Sequence, residues 1–517
     1  DDGTQSIGEI LTRWIGFAPY TKNEIRICTV DAPDLIGIIR SIKSFMDKNG
    51  CDKVICDVFL TRHQNGNTEL SKLDYSGKDY EIGELIKKGK ISISIHNVQS
   101  PVDVRAALDF RPVHIAFYFD QSSYLIEYGP NNQSLYINPL VVTYDYEFDE
   151  ATHRGRIFPS SDVESGMIGD YHKLMRSADV ISNSMNPRTT YNGNADTSAV
   201  VTTIQNNQTQ WLVAADRDTN NYDPPHAIPI GEMQFEKRMV SVWASSNSRI
   251  ISQYLTMLRG YNLYPERETL IRILKSFGHI ASNGLISIPK FGADAQAIDN
   301  KKKGLLGTLF AAVWYTQNHD RSLVASLDDE KARLWLHDSK YGNERADLIG
   351  LRYVESTNTL YIQPIEVKTR DDSPDAIITV DNATGHHNIS GHAAGQIASV
   401  VGMLKEIFGI VEADSLDMFI SARREVLKYQ IVSECFRNIH DPEWQKQWSA
   451  VLKRAFGQGK PENINIVVSG LLLYFKLSDA SGGKVVQCVH PDFDDCPIEF
   501  RQMTTKEIQE HILGGTD

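Results

Sequence analysis

Over roughly the first 120 residues, short apolar runs alternate with stretches of helical spacing, and that alternation leaves few folds open. Ile25 to Val30 is a short apolar run, Asp34 to Asn49 sets Leu35, Ile38, Ile39, Ile42, Phe45 and Met46 at helical spacing, and Lys53 to Leu60 is strand-like again. Ile91 to Ile95, a short helix around Val102 to Leu108, and a strand from Val113 to Phe119 continue the series. Strands separated by helices pair in parallel, so the reading is an α/β fold built on a parallel sheet. Asp120, just past a strand, stands where open α/β sheets often place ligands, and where a plain loop carboxylate is equally common.

Residues 182 to 210 are rich in Asn, Thr and Ser and read as a long exposed loop. Trp211 to Ala215, followed by Asp216-Arg217-Asp218, and Met239 to Ala244 carry the α/β pattern to about residue 246. From Arg249 to Phe277 the apolar spacing becomes helical. A chain of 517 residues exceeds what one hydrophobic core supports. The expected division is an α/β recognition or docking region over 1–246, a helical connector over 247–300, a second α/β domain over 301–475, and a C-terminal tail over 476–517.

Composition bounds the function. With 41% hydrophobic and 23% charged residues the chain is an ordinary folded one. No run approaches 18 apolar residues and the start, Asp1-Asp2-Gly3, has no signal-peptide character, so no membrane association and a cytoplasmic location are expected. The absent initiator Met and the Gly514-Gly515-Thr516-Asp517 ending suggest a piece of a longer chain. Six scattered cysteines lack zinc-site spacing and read as reduced, buried thiols. A net charge of −13 argues against a surface coated in Lys and Arg for nonspecific nucleic-acid binding, while leaving room for a local basic groove. Neither a phosphate-binding Gly-x-x-x-x-Gly-Lys-Ser/Thr loop nor a Gly-x-Ser-x-Gly elbow occurs.

The chemistry concentrates after Lys301. Gly304 to Tyr315 has one apolar helix face. Leu323 to Leu327, Ala346 to Val354 and Leu360 to Lys368 read as three strands, the last two joined by a hairpin at Glu355 to Thr359, and Gly391 to Phe408 reads as a second helix. Glu366 and Lys368 lie two apart on a strand and share a face, with Asp347 on the neighbouring strand. Two carboxylates can hold Mg²⁺ or Mn²⁺ beside a phosphodiester, and the Lys can orient water or offset developing charge. A solvated Glu/Lys pair on a structural hairpin is the alternative, set against the apolar run Leu360 to Ile365 that should carry this strand inside the sheet.

On these residues the segment 301–410 resembles the PD-(D/E)XK nuclease superfamily, whose order is helix, strand, strand with Asp, strand with Glu-x-Lys, helix. The resemblance implies a restriction-endonuclease-like α/β domain cutting DNA with Mg²⁺ or Mn²⁺, with Asp347, Glu366 and Lys368 catalytic and Asp347 and Glu366 as metal ligands. Many members carry a Glu on the first helix; 301–315 has none, leaving the place to Thr308 or a water. Members related to the RecB nuclease carry Gln and, four residues on, Tyr; Gln396 fills the first position and Val400 the second, which makes Gln396 a DNA or active-site contact. Asp371 to Ser390, with His386 and His387 and followed by His392, reads as a mobile loop beside the site.

Beyond Gly409 the chain is expected to be helical, with Arg423, Arg424, Lys428 and Arg437 near one face. Trp211 to Asp218, Glu344 to Leu348, Ile365 to Lys368 and Arg423 to Leu427 together resemble the regions preceding the motor in large bacterial anti-phage translocases, including the phosphorothioation-dependent restriction type. That resemblance implies restriction of invading DNA, other defence-system subunits as partners, and a motor domain C-terminal to this chain. A noncatalytic DNA-binding or assembly scaffold with a nuclease-like fold is the rival expectation.

Overall fold

The computed structural model describes residues 5–32, 34–60, 71–98, 112–119, 143–149, 154–160, 209–215, 227–235, 238–245, 249–278, 295–320, 322–327, 345–370, 377–381, 385–408, 442–456, 464–477, 483–491 and 496–514, with a few positions between them. Asp120, Asp216 to Asp218, Arg423, Arg424, Arg437 and nearly all of the expected 182–210 loop lie outside the described residues. The chain is α/β and divides into two units: Asp1–Gly129, Thr190–Tyr254 and Leu274–Lys302 form the first, and Pro130–Thr189, Leu255–Ile273 and Lys303–Asp517 the second. Among the described residues no helix is long and apolar enough to cross a membrane.

The first unit opens with α1 (Gln5–Phe17), β1 (Ile25–Val30), α2 (Leu35–Asn49), β2 (Val54–Leu60), α3 (Tyr80–Lys87), β3 (Ile91–Asn97) and β4 (Ile115–Phe119). Helix α2 forms where it does because its ends are fixed: the Asp34 carboxylate accepts the Gly37 N–H at 2.9 Å, and Gly50 takes the left-handed conformation that stops the helix. A hairpin, β5 (Thr143–Asp149) with β6 (Arg154–Ser160), belongs instead to the second unit. The first unit resumes with β7 (Trp211–Ala215), β8 (Ala227–Phe235) and β9 (Arg238–Ser245), giving a seven-stranded sheet in the order β3-β2-β1-β4-β7-β9-β8. Strands β3 to β7 of that order pair in parallel; the inner ones, such as β4 and β7, are nearly continuous apolar runs, as expected of strands covered on both faces, while the edge strand β3 alternates Ile with Ser.

After α4 (Arg249–Arg259) and α5 (Arg267–Phe277) comes the long helix α6 (Ala295–Asn318), then β10 (Ser322–Ser326), β11 (Leu348–Val354), β12 (Thr359–Arg370), β13 (Ile377–Val380), β14 (His387–Ser390) and α7 (His392–Ile407). The chain closes with α8 (Pro442–Phe456), β15 (Asn465–Val468), β16 (Gly470–Lys476), β17 (Lys484–Val489), β18 (Pro497–Thr504) and α9 (Thr505–His511). The second unit holds a mixed sheet in the order β10-β11-β12-β16-β18-β17-β14-β13, with β15 also beside β12. The hairpin β5–β6 packs on α8.

Three expectations are corrected here. The segment 371–390 is not simply a mobile loop: Ile377–Val380 and His387–Ser390 pair antiparallel, and β14 adds to β17, because Ile377, Ile378, Val380 and Ile389 supply β-branched side chains amid the polar residues. Among the described residues after Gly409, four strands stand beside the helices. Gly470–Lys476 is a short, almost wholly buried apolar run, a pattern whose periodicity does not separate strand from helix. Residues 476–517 are likewise no tail, since β17 and β18 continue the central sheet and β18 pairs in parallel with β16.

Helices cover both faces of this sheet. On one side α6 approaches so closely that a Cβ on Gly307 would meet Thr369 Oγ1 at 2.0 Å, and one on Gly350 would meet the Tyr315 ring at 2.4 Å. Tyr315 is fully buried and its hydroxyl donates to Gln363 Oε1 at 3.0 Å. On the other side Ala394, Ile397, Ala398 and Val401 of α7 pack on Leu360, Ile362, Leu472 and Tyr474. A methyl group at position 350 must displace a buried ring, so Gly350→Ala is expected to cost about 1–3 kcal/mol of stability, read from urea unfolding. An unchanged midpoint would contradict the packing.

Candidate active site

The β11–β12 hairpin sets the site. Its turn is a single 3-10 turn, Glu355–Thr357, closed by Asn358 in the left-handed region at φ 46°, a conformation Asn tolerates better than most residues. The Asn358 side-chain oxygen accepts from the Tyr353 hydroxyl at 2.8 Å and from Arg454 Nη2 at 2.9 Å, which ties the turn to α8. The resulting register runs from Val354 opposite Thr359 to Leu348 opposite Ile365. One step further along each strand stand Asp347 and Glu366. Strand β11 begins at Leu348, later than the expected Ala346, so Asp347 lies at its mouth rather than inside it.

Glu366 and Lys368 form an ion pair there, and Asp347 is tied to the same strand through Val367. The Val367 N–H donates to Asp347 Oδ2 at 2.7 Å, and Lys368 Nζ lies 2.6 Å from Glu366 Oε1. Glu366 is only 2% exposed, while the Lys368 side chain keeps 22% exposure. On β16, Leu472 and Tyr474 register with Glu366 and Lys368, so the charged pair sits on the sheet face that α7 covers. A carboxylate this deep needs a charged or hydrogen-bonding partner, and Lys368 is one.

Gln396, on the first turns of α7, donates through Nε2 to the Arg345 carbonyl at 3.2 Å, two residues before Asp347. Its Oε1 is buried and makes no hydrogen bond among the described residues. Thr308 is not gathered at the site: α6 meets the opposite face through Gly307, and the Thr308 hydroxyl donates to the Gly304 carbonyl at 3.1 Å. His386 and His387 lie exposed around the β13–β14 hairpin, and His392, also exposed, opens α7. Lys428 stands over the Phe456 ring at 5.4 Å.

No protein-family model matches the chain, and no curated protein matches it. Among solved structures, the crystal structure of WbdD is similar at 8% identity, over 47% of this chain and 40% of that one. Its TM-score of 0.23 is too low to carry an argument about fold or function.

The residues themselves are suited to a hard divalent cation. Asp347, just before β11, and Glu366, within β12, supply carboxylate oxygens, and the buried Gln396 Oε1 on α7 is a further hard acceptor. Among the described residues no group of three or more His, Cys, Asp or Glu is assembled. Two carboxylates are enough for Mg²⁺, which keeps several waters and completes its octahedron with substrate phosphate oxygens. Thiol chemistry is disfavoured: all six cysteines are buried, and burial pushes the Cys56 thiol up to about 12 and the Cys496 thiol to about 11.

One acid–base pair escaped the sequence reading. Asp57, 5% exposed in the middle of β2, meets His96 Nε2 at 2.9 Å, and the His96 ring stacks on Phe59 at 4.9 Å. The signal was a lone carboxylate inside Val54-Ile55-Cys56-Asp57-Val58-Phe59-Leu60, with its partner on an adjacent strand.

Proposed function

We propose that the second unit is a Mg²⁺- or Mn²⁺-dependent deoxyribonuclease of the PD-(D/E)XK type, with Asp347 and Glu366 as metal ligands and Lys368 as the catalytic cation. The observation that carries this reading is the tether of Asp347 to the Val367 N–H, next to Glu366 on β12, with Lys368 2.6 Å from Glu366. The element order α6, β10, β11, β12 also follows the order of that superfamily, with the β13–β14 hairpin inserted before α7.

A bound divalent ion supplies a water of lowered pKa and offsets charge at the scissile phosphate. The protein groups then have separate tasks. Asp347, tethered by the Val367 N–H, and Glu366, fixed within the sheet, would hold the ion when it is bound. The partly exposed Lys368 ammonium faces the charge that builds on the phosphate oxygens as water oxygen bonds to phosphorus and one P–O ester bond breaks.

We further read the chain as part of a cytoplasmic bacterial defence assembly against invading DNA, partnered by other defence subunits or by a motor C-terminal to it, with the first unit serving recognition or docking. The rival reading, a DNA-binding or assembly scaffold, draws on the same short Lys368–Glu366 contact, which a structural ion pair would also make. Supercoiled plasmid incubated with the protein and Mg²⁺ separates the two. The nuclease yields nicked or linear DNA, whereas a scaffold shifts plasmid mobility and cuts nothing.

A further inference from the structure

Asp347 stands just before β11 begins at Leu348. Residues 345–347 precede β11, and the contacts that hold the segment include the Leu327 N–H donating to the Asp347 carbonyl at 2.9 Å, the Val367 N–H to Asp347 Oδ2 at 2.7 Å, and Gln396 Nε2 to the Arg345 carbonyl at 3.2 Å. The first two come from neighbouring strands. The third reaches from α7, whose core residues Ala394, Ile397 and Ala398 are fully or almost fully buried against the sheet. A backbone carbonyl only accepts, so the Gln396 amide must turn its nitrogen to Arg345 and its oxygen away.

We propose that Gln396 is a positioning residue that acts through Asp347: its side-chain N–H anchors the strand mouth to α7 and so fixes the Asp347 carboxylate against Val367. The catalytic half of this inference rests on the nuclease reading above; the anchor itself does not. A DNA contact by Gln396 would work through substrate affinity, whereas an anchor works through the geometry of a catalytic carboxylate. The two predict different kinetics, because a misplaced group lowers the rate of the bound complex while substrate binding is retained.

The full chain, free of metal and DNA, provides the first test through amide hydrogen exchange. Gln396→Met keeps side-chain volume and removes the donor; Gln396→Glu keeps an acceptor oxygen and also removes the donor. Both should accelerate exchange at the Val367 amide by about fivefold to tenfold, the scale of one lost hydrogen bond, while Ile362 further along β12 stays unchanged and shows that the sheet is intact. Plasmid cleavage in Mg²⁺ should then show a lower kcat for Gln396→Met with KM for DNA within about twofold of wild type. Unchanged exchange at Val367 in both variants overturns the anchor, and a raised KM at unchanged kcat overturns it in favour of a DNA contact. Accelerated exchange in the variants of a wild-type protein that does not cut DNA overturns the nuclease reading and leaves the anchor standing.

Discussion

Asp347→Asn and Glu366→Gln are each expected to lower DNA cleavage by at least about 10³-fold, the upper end of the effect of removing one preorganised electrostatic group. Both substitutions preserve shape. An Asn side-chain oxygen at position 347 can still accept the Val367 N–H, and a Gln at position 366 can still accept from Lys368, so the hydrogen bonds at 2.7 Å and 2.6 Å have substitutes while the charges proposed to bind the cation are gone. Single-turnover kinetics on supercoiled plasmid reads the loss, and thermal melts within a few degrees of wild type show that the fold is kept. Asp347→Asn carries the cleaner result, because Glu366 is 2% exposed and weakening a buried ion pair brings its own structural cost. Near wild-type cleavage by either variant would remove that residue from the site.

Lys368→Ala should slow cleavage by at least about 100-fold while both carboxylates remain to hold metal. The direction of the metal effect is opposite to that of the rate. Lys368 lies 2.6 Å from Glu366 Oε1, so deleting the ammonium removes a competing positive charge, and affinity for Mn²⁺ should rise or stay level. A variant that cuts at the wild-type rate would return Glu366-Val367-Lys368 to a structural hairpin. Weaker Mn²⁺ binding would show that Lys368 serves mainly to hold Glu366 in place.

The placement of the proposed site's residues was legible in sequence to the extent that strand periodicity could set it. The period-two relation puts Glu366 and Lys368 on one face, and the short segment at Glu355–Thr357 limits how β11 can return along β12, which brings Asp347 opposite Glu366. The tether on Asp347 was not legible, because its donor is the backbone N–H of Val367 and any residue but Pro would supply one. The role of α7 was half legible: the sequence marks Gln396 as a polar residue on an apolar helix, yet only the packed helix brings it to the Arg345 carbonyl. The α/β character came through in both units. Strand β16 did not, since the buried run Gly470–Lys476 lacks the alternation that would mark it as strand, whereas β17 and β18 do alternate in burial and were overlooked. Asp57 and His96 were missed because strands that pair in parallel can be distant in sequence.

The most direct test of the central claim is the single-turnover rate of plasmid cleavage by the wild-type chain as Mg²⁺ is titrated from an EDTA-cleared starting point. The account predicts no cleavage at zero free Mg²⁺, a rate that rises and saturates as the cation fills its place between Asp347 and Glu366, and restoration by Mn²⁺. Cleavage that persists in EDTA, or intact plasmid at every concentration of Mg²⁺ and Mn²⁺, would contradict it.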